Sequence, residues 1–248
     1  MRSIDLNADV GEGYPFDAEL MQVVSSCSIA CGGHVGDDQS ISETLDLAKQ
    51  HGVSAGAHPS YPDPDGFGRR SNFSSGEVLE QSLAAQLNRA VSIAEKVGWP
   101  LRHLKPHGAL YNEAARSERL AQIILKSALS YEIPAVMGPP QSMLSACASE
   151  AGLTYIEEGF IDRQYTPSGQ LLRRSEPGAV LGSIEERLQQ AEALATGAPL
   201  QCGDQWLQLS VKTLCLHGDD QQAVETARAV RRHLEAAGIK IRAWHEAA

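Results

Sequence analysis

Short apolar runs that end in a polar residue and lead into a helical stretch recur along this chain, and that beat constrains its fold more than any other feature. Strands joined through helices run parallel, because a parallel pair needs a crossover longer than a hairpin turn. The first run, Ser3-Ile4-Asp5-Leu6-Asn7-Ala8-Asp9, alternates apolar and polar residues and breaks at Gly11 and Gly13. Further strands are predicted over 26–30, 53–57, 103–105, 135–137, 154–158 and 211–216, with a last run at 239–244. Helices are predicted over 39–51, from 74 to 97, from 108 through 130, up to Ala151, over 183–194 and over 221–237. Ser74-Ser75-Gly76-Glu77 has the form of a capping box, with Ser74 accepting from a free amide and Glu77 reaching back. Seven or eight such strands in 248 residues predict a single-domain parallel β/α barrel over 1–248. An open doubly wound sheet is the alternative, since periodicity does not establish closure.

Composition excludes several partners. The formal net charge is −10 and the basic residues are scattered, which speaks against a phosphate backbone or an anionic membrane as ligand. Asp5 and Asp9 interrupt the first residues where a signal peptide needs an apolar region, and no run reaches the ~20 apolar residues of a membrane span. A cytoplasmic location is therefore expected. Five cysteines, an odd number in a chain of this size, are expected to be reduced. Cys27 and Cys31 lack a second pair for structural zinc, and Cys31 reads as a packed thiol rather than a nucleophile.

In a parallel barrel, residues just past each strand meet at one end. Here they are Asp9, His34, His58, Lys105 with His107, Asp162 with Arg163, and His217 with Asp219. Asp9, Lys105, His107 and Asp162 are the catalytic candidates. Lys105 lies between apolar Leu104 and Pro106, where an ammonium either loses its proton easily or pairs with an anion. His107 has an ordinary pKa near neutrality, as an acid or base requires. Asp9, His34 and His58 supply the ligand types of a divalent metal site with room for water. Asp63-Pro64-Asp65-Gly66-Phe67-Gly68-Arg69-Arg70 joins rigid turns to two guanidinium groups suited to clamping a carboxylate. Taken singly, each has a plainer reading as a turn residue, a cap or a solvated charge. His51, His233 and His245 fall on predicted helix or terminal surfaces and carry no functional expectation.

Several longer blocks stand in order: Asp5-Leu6-Asn7-Ala8-Asp9-Val10-Gly11-Glu12, Ile29-Ala30-Cys31-Gly32-Gly33-His34, Gly56-Ala57-His58-Pro59-Ser60-Tyr61-Pro62-Asp63, Gly66-Phe67-Gly68-Arg69-Arg70, Lys105-Pro106-His107-Gly108-Ala109-Leu110-Tyr111-Asn112, Asp162-Arg163-Gln164-Tyr165 and His217-Gly218-Asp219. Together they resemble the LamB/YcsF family over nearly the whole chain. The resemblance implies ATP-dependent cleavage of 5-oxo-L-proline to L-glutamate by an A subunit working with B and C subunits, and a homo-oligomer is compatible with it. It also implies a barrel similar to that of sugar deacetylases, which often hold a metal with Asp and two His. On this reading Asn7, Glu12, Arg69, Arg70, Tyr111, Arg163 and His217 are expected to bind substrate. Asp9 and His107 are expected to act as base and acid, Lys105 and Arg69 or Arg70 to hold developing negative charge, and His34 and His58 to position water or a metal. ATP is the implied co-substrate, yet the chain has no Gly-x4-Gly-Lys-Ser/Thr loop, so ATP is expected at another kind of site or on a partner. The competing expectations are a metal-dependent deacetylase or amidase acting alone, and a noncatalytic oxoproline-binding subunit.

Overall fold

The computed structural model describes residues 2–71, 75–174, 176–218 and 222–246. Its strands are β1 (Ser3–Val10), β2 (Ser26–Ala30), β3 (Ser54–His58), β4 (Leu101–Leu104), β5 (Ala135–Gly138), β6 (Thr154–Phe160), β7 (Leu200–Cys202), β8 (Gln205–Leu207), β9 (Thr213–Leu216) and β10 (Lys240–Ile241). The helices are α1 (Asp17–Leu20), α2 (Asp38–His51), α3 (Gly76–Val97), α4 (Gly108–Ala114), α5 (Glu118–Ser130), α6 (Met143–Glu150), α7 (Ile184–Thr196) and α8 (Ala223–Ala236). β1 through β6 pair in sequence order, β9 pairs β6 on one side and β1 on the other, and every one of these pairings is parallel. The sheet therefore closes on itself as a seven-stranded barrel, which removes the open-sheet alternative. β10 contributes two residues beside Ser3 and Ile4 and stays outside the ring.

The alternation in β1 has a direct structural meaning. Ile4, Leu6, Ala8 and Val10 are buried in the apolar core, whereas Asp5, Asn7 and Asp9 take the other phase and are also buried. Polar side chains thus fill much of the barrel interior, and each needs partners there. Asp5 accepts from Ser25, Ser26 and Thr213 at 2.6, 2.6 and 2.5 Å. Asn7 donates to Thr213 at 2.7 Å and to Glu158 at 3.0 Å, and Ser28 meets the His103 ring at 3.1 Å. Gly56 makes room for that ring, because a Cβ there would lie 2.3 Å from it. Burial holds the Asp5 carboxyl up at about 6, its three hydroxyl donors partly opposing, and drops the His103 imidazole to about 3.

Two local expectations need correction, and one element is additional. The predicted helix over 108–130 is two helices, because Ser117 caps a new start by accepting from Leu120 N–H. α3 is capped by Ser75, which accepts from Val78 N–H, while the expected cap Ser74 lies outside the described residues. The hairpin of β7 and β8 was not anticipated; each of its strands has only three residues, too short for a period-2 signal. The five cysteines are free and buried, and burial pushes the Cys31 thiol up to about 12, which suits packing and not attack. Among the described residues, no helix is long and apolar enough to cross a membrane.

Candidate active site at the mouth of the barrel

Closure of the ring brings the strand ends together as the pattern predicts. Asp9 near the end of β1, His58 at the end of β3, and Lys105 and His107 just past β4 are all buried and in contact. Lys105 Nζ lies 2.8 Å from Asp9 Oδ1 and 2.8 Å from Glu158 Oε1 of β6, with Asn7 Oδ1 at 3.4 Å and Cys215 Sγ at 3.2 Å. Of the two expectations for this lysine, pairing with an anion is the one observed. Burial alone would lower its pKa, but Asp9, Cys215 and Glu158 outweigh that and hold it well above the ordinary value. Burial likewise works to raise Asp9, and His58 and Lys105 overcome it, leaving a firm carboxylate well below its usual range.

The other Asp9 oxygen faces His58 Nε2 at 3.3 Å, and that nitrogen lies 2.9 Å from His107 Nδ1. The far nitrogens of both rings are fixed on backbone carbonyls: His58 Nδ1 on Lys105 at 2.8 Å and His107 Nε2 on Phe67 at 2.9 Å. Burial opposes charge on His58, but Asp9 outweighs it and raises the pKa, whereas burial with His58 and His34 nearby lowers that of His107. His34 stacks on His107 with centroids 3.8 Å apart and an interplanar angle of 2°, and its pKa is lowered by burial, with Glu12 partly opposing. Phe67, in the left-handed region at φ 53°, packs edge-on against both rings at 5.1 and 5.5 Å.

The expected metal trio is divided. Asp9 is paired with Lys105 and His58, and the carboxylate beside His34 is Glu12, whose Oε1 lies 3.1 Å from His34 Nε2 and 3.3 Å from His107 Nδ1. Ligand atoms of Glu12, His34 and His107 all lie within 4.8 Å of one another. Asp162 and His217 form a second dyad, Nδ1 to Oδ2 at 2.7 Å, with Phe160 stacked on the imidazole. Burial tends to raise the Asp162 carboxyl, and His217 reverses that.

Four of the residues expected to bind substrate make contacts within the protein. Asn7 is fully buried beneath Lys105 in the interior network. Arg70 pairs with Asp63 at 2.6 Å and closes the 63–70 turn. Arg163 donates to the carbonyls of Leu172 and Ala179 and pins the loop after β6. Tyr111 is buried edge-on to Phe160, with its hydroxyl beside Glu158. Arg69 lies over the Phe67 ring at 5.0 Å, at the rim of the histidine cluster. Asp219 lies outside the described residues. Sequence reasoning missed Glu158, although it shares its strand phase with buried Ile156 and Phe160 and could have been read from that alternation.

Residues 4–248 match the LamB/YcsF family. The chain is 38% identical over 245 residues to a protein of Haemophilus influenzae named as the A subunit of 5-oxoprolinase, covering 98% of this chain and 100% of the relative. A solved lactam utilization protein from Thermus thermophilus superposes with a TM-score of 0.89 at 38% identity, covering 97% and 99% of the two chains. A chitinase from Pseudoalteromonas aurantia, at 8% identity and TM-score 0.54, shares the fold alone, over 93% of this chain and 100% of its own. The ordered motifs and the whole-length match together place this chain in the LamB/YcsF family.

Proposed function

We propose that this chain is the A subunit of an ATP-dependent 5-oxoprolinase, opening the lactam of 5-oxo-L-proline to L-glutamate together with B and C subunits. What carries the reading is the buried chain Asp9, His58, His107 at the barrel mouth, in a protein 38% identical over its length to a relative named as the 5-oxoprolinase A subunit. A five-membered lactam closes readily and its amide resists water, so coupling to ATP has a chemical purpose. Phosphorylation of the ring carbonyl oxygen gives an activated carbon. One water then adds to that carbon and the ring C–N bond breaks, with a proton passing to nitrogen and an acyl phosphate left behind. A second water releases phosphate and glutamate.

The side chains divide that work. Lys105 keeps Asp9 ionised, and Asp9 stabilises the positive charge that His58 acquires as the His58 and His107 pair draws a proton from attacking water. Lys105 is enclosed by anions, so it supports this relay and leaves the developing oxyanion to Arg69 at the rim. The second dyad, His217 held by Asp162, supplies the proton to the departing ring nitrogen. The chain has no Gly-x4-Gly-Lys-Ser/Thr loop, which supports binding of ATP at another kind of site or on a partner.

Glutamate release from 5-oxoproline and ATP tests the proposal, with this chain alone, B and C alone, and the three mixed. Release in the mixture only is expected. Release by B and C without this chain, or by no combination, overturns it.

A further inference from the structure

Residues of the loop after β6, of α7 and of the first turn of α8 line a cavity of about 340 Å³ beside the Asp162 and His217 dyad. Its polar wall is Asp162, Arg174, Arg187, His217 and Thr226, and Leu216 supplies an apolar side. That size lies at the small end of ligand pockets, as a single small ring requires. Arg187 is buried and fixed in the wall, donating from Nε to the Leu181 carbonyl and from Nη1 to Thr226 Oγ1, each at 3.0 Å.

Asp162 has one oxygen to spare. Its Oδ2 meets His217 Nδ1 at 2.7 Å, whereas Oδ1 is buried and no donor reaches it among the described residues. A buried acceptor without a donor is costly, so Oδ1 marks the place of an N–H or O–H. Burial tends to raise this carboxyl, and His217, Arg174 and Arg163 reverse that, so it stands ionised and only accepts. Two guanidinium groups face this one carboxylate, a local excess of positive charge in a chain of net charge −10. A simple anion does nothing for Oδ1, and a simple amine gains nothing from the cations. A ligand that suits both carries an N–H close to a carboxylate.

We propose that this cavity reads the polar edge of 5-oxo-L-proline, with Asp162 Oδ1 accepting from the ring N–H and the Arg174 guanidinium taking the α-carboxylate on the neighbouring carbon. The inference rests on the oxoprolinase reading above, and it gives the substrate carboxylate to Arg174 where the sequence pointed to Arg69, Arg70 and Arg163. A guanidinium grips a carboxylate through two parallel bonds, so Arg174 selects by shape as well as by charge. An N–H accepted in the plane of the ring leaves the nitrogen lone pair, perpendicular to it, open to the proton from His217.

The test is calorimetric titration of the full chain with 5-oxo-L-proline and two analogues. Pyrrolidin-2-one keeps the ring and its N–H but lacks the carboxylate, and N-methyl-5-oxo-L-proline keeps the carboxylate but lacks the N–H. The wild type should bind 5-oxo-L-proline about 10-fold or more tighter than either, the range of a lost hydrogen bond to a charged group. Arg174→Gln should lose the preference over pyrrolidin-2-one and keep the preference over the N-methyl compound, a split that damage to the fold does not produce. Arg174→Lys keeps the charge without the fork and should show an intermediate preference. Equal affinity of the wild type for all three, binding of none of them, or unchanged preferences in Arg174→Gln overturns the proposal. Binding is read without ATP or partners, so a chain that keeps these preferences while its complex releases no glutamate removes the reaction proposed above and leaves the subsite.

Discussion

Replacing Lys105 by methionine removes the ammonium that Asp9 and Glu158 share while keeping most of the side-chain volume. Both carboxylates are then buried together without the ammonium between them, and His58 remains beside Asp9 only. Breaking a buried ion pair from one side costs about 3–5 kcal/mol, and two stranded anions put this site at the upper end. For a chain of this length, each kcal/mol lowers Tm by about 2–4 °C, so Lys105→Met should melt roughly 10–20 °C below the wild type at neutral pH. The gap should depend on pH with a definite sign. In the wild type, Asp9 has a depressed pKa, so its contribution is fully present above the unfolded value and is lost only as pH falls through the folded one. In the variant, the burial that works to raise Asp9 is no longer opposed by Lys105, so the folded chain takes up protons more readily on acidification and is relieved of charge. The two melting curves should therefore approach each other between pH 8 and pH 5. Thermal denaturation followed by circular dichroism at both pH values is sufficient. A variant that melts with the wild type at pH 8, or a gap that does not narrow at pH 5, refutes the reasoning.

Other outcomes follow from single sites. Gly68 sits at φ +63°, and an added Cβ would meet His107 at 2.9 Å and His34 at 3.1 Å. Gly68→Ala should cost about 1–2 kcal/mol in urea unfolding for the left-handed backbone and displace the histidines, lowering kcat. His103, held at about 3, stays neutral when folded while the unfolded imidazole charges below about 6.5. Its contribution is complete above that value and falls by about 1.4 kcal/mol per pH unit below it, so His103→Gln should show a shallower acid loss in urea titrations at pH 4.5–7. Asp5, raised to about 6, works in the opposite sense, and Asp5→Asn should steepen the same loss. Asp162→Asn removes the carboxylate that fixes His217, and kcat of the reconstituted enzyme should fall by about 100-fold or more, with the pH–rate profile shifted. An unchanged kcat and profile would take the dyad out of the reaction.

Much of the barrel was legible because strand and helix periods alternate cleanly. The observed strands begin or end within a few residues of the apolar runs, and Asp9, His34, His58, Lys105 and His107 do meet where strand ends converge. Closure was not legible, since it rests on the pairing of β9 with β1, a contact between distant segments that leaves no local pattern. The side-chain roles were harder still. The sequence does not show that Arg70 meets Asp63 or that Arg163 donates to the carbonyls of Leu172 and Ala179, because those contacts depend on the folded loops. Glu12 and Asp9 lie three residues apart, and only the fold sends Asp9 to Lys105 and His58 and Glu12 to His34 and His107. That choice depends on where β4 sets Lys105 across the barrel, which neither residue's neighbours in sequence reveal.

The central claim is that ring opening takes place on this barrel. Its most direct test compares glutamate release by the complex of this chain with B and C when the chain carries wild-type Asp9 and His107 and when it carries Asp9→Asn or His107→Gln, each variant first shown to fold and assemble. The account predicts turnover reduced about 100-fold or more in both variants, the range carried by general acid–base groups. Near wild-type glutamate release from the variant complexes would contradict it and leave this chain a noncatalytic carrier of oxoproline.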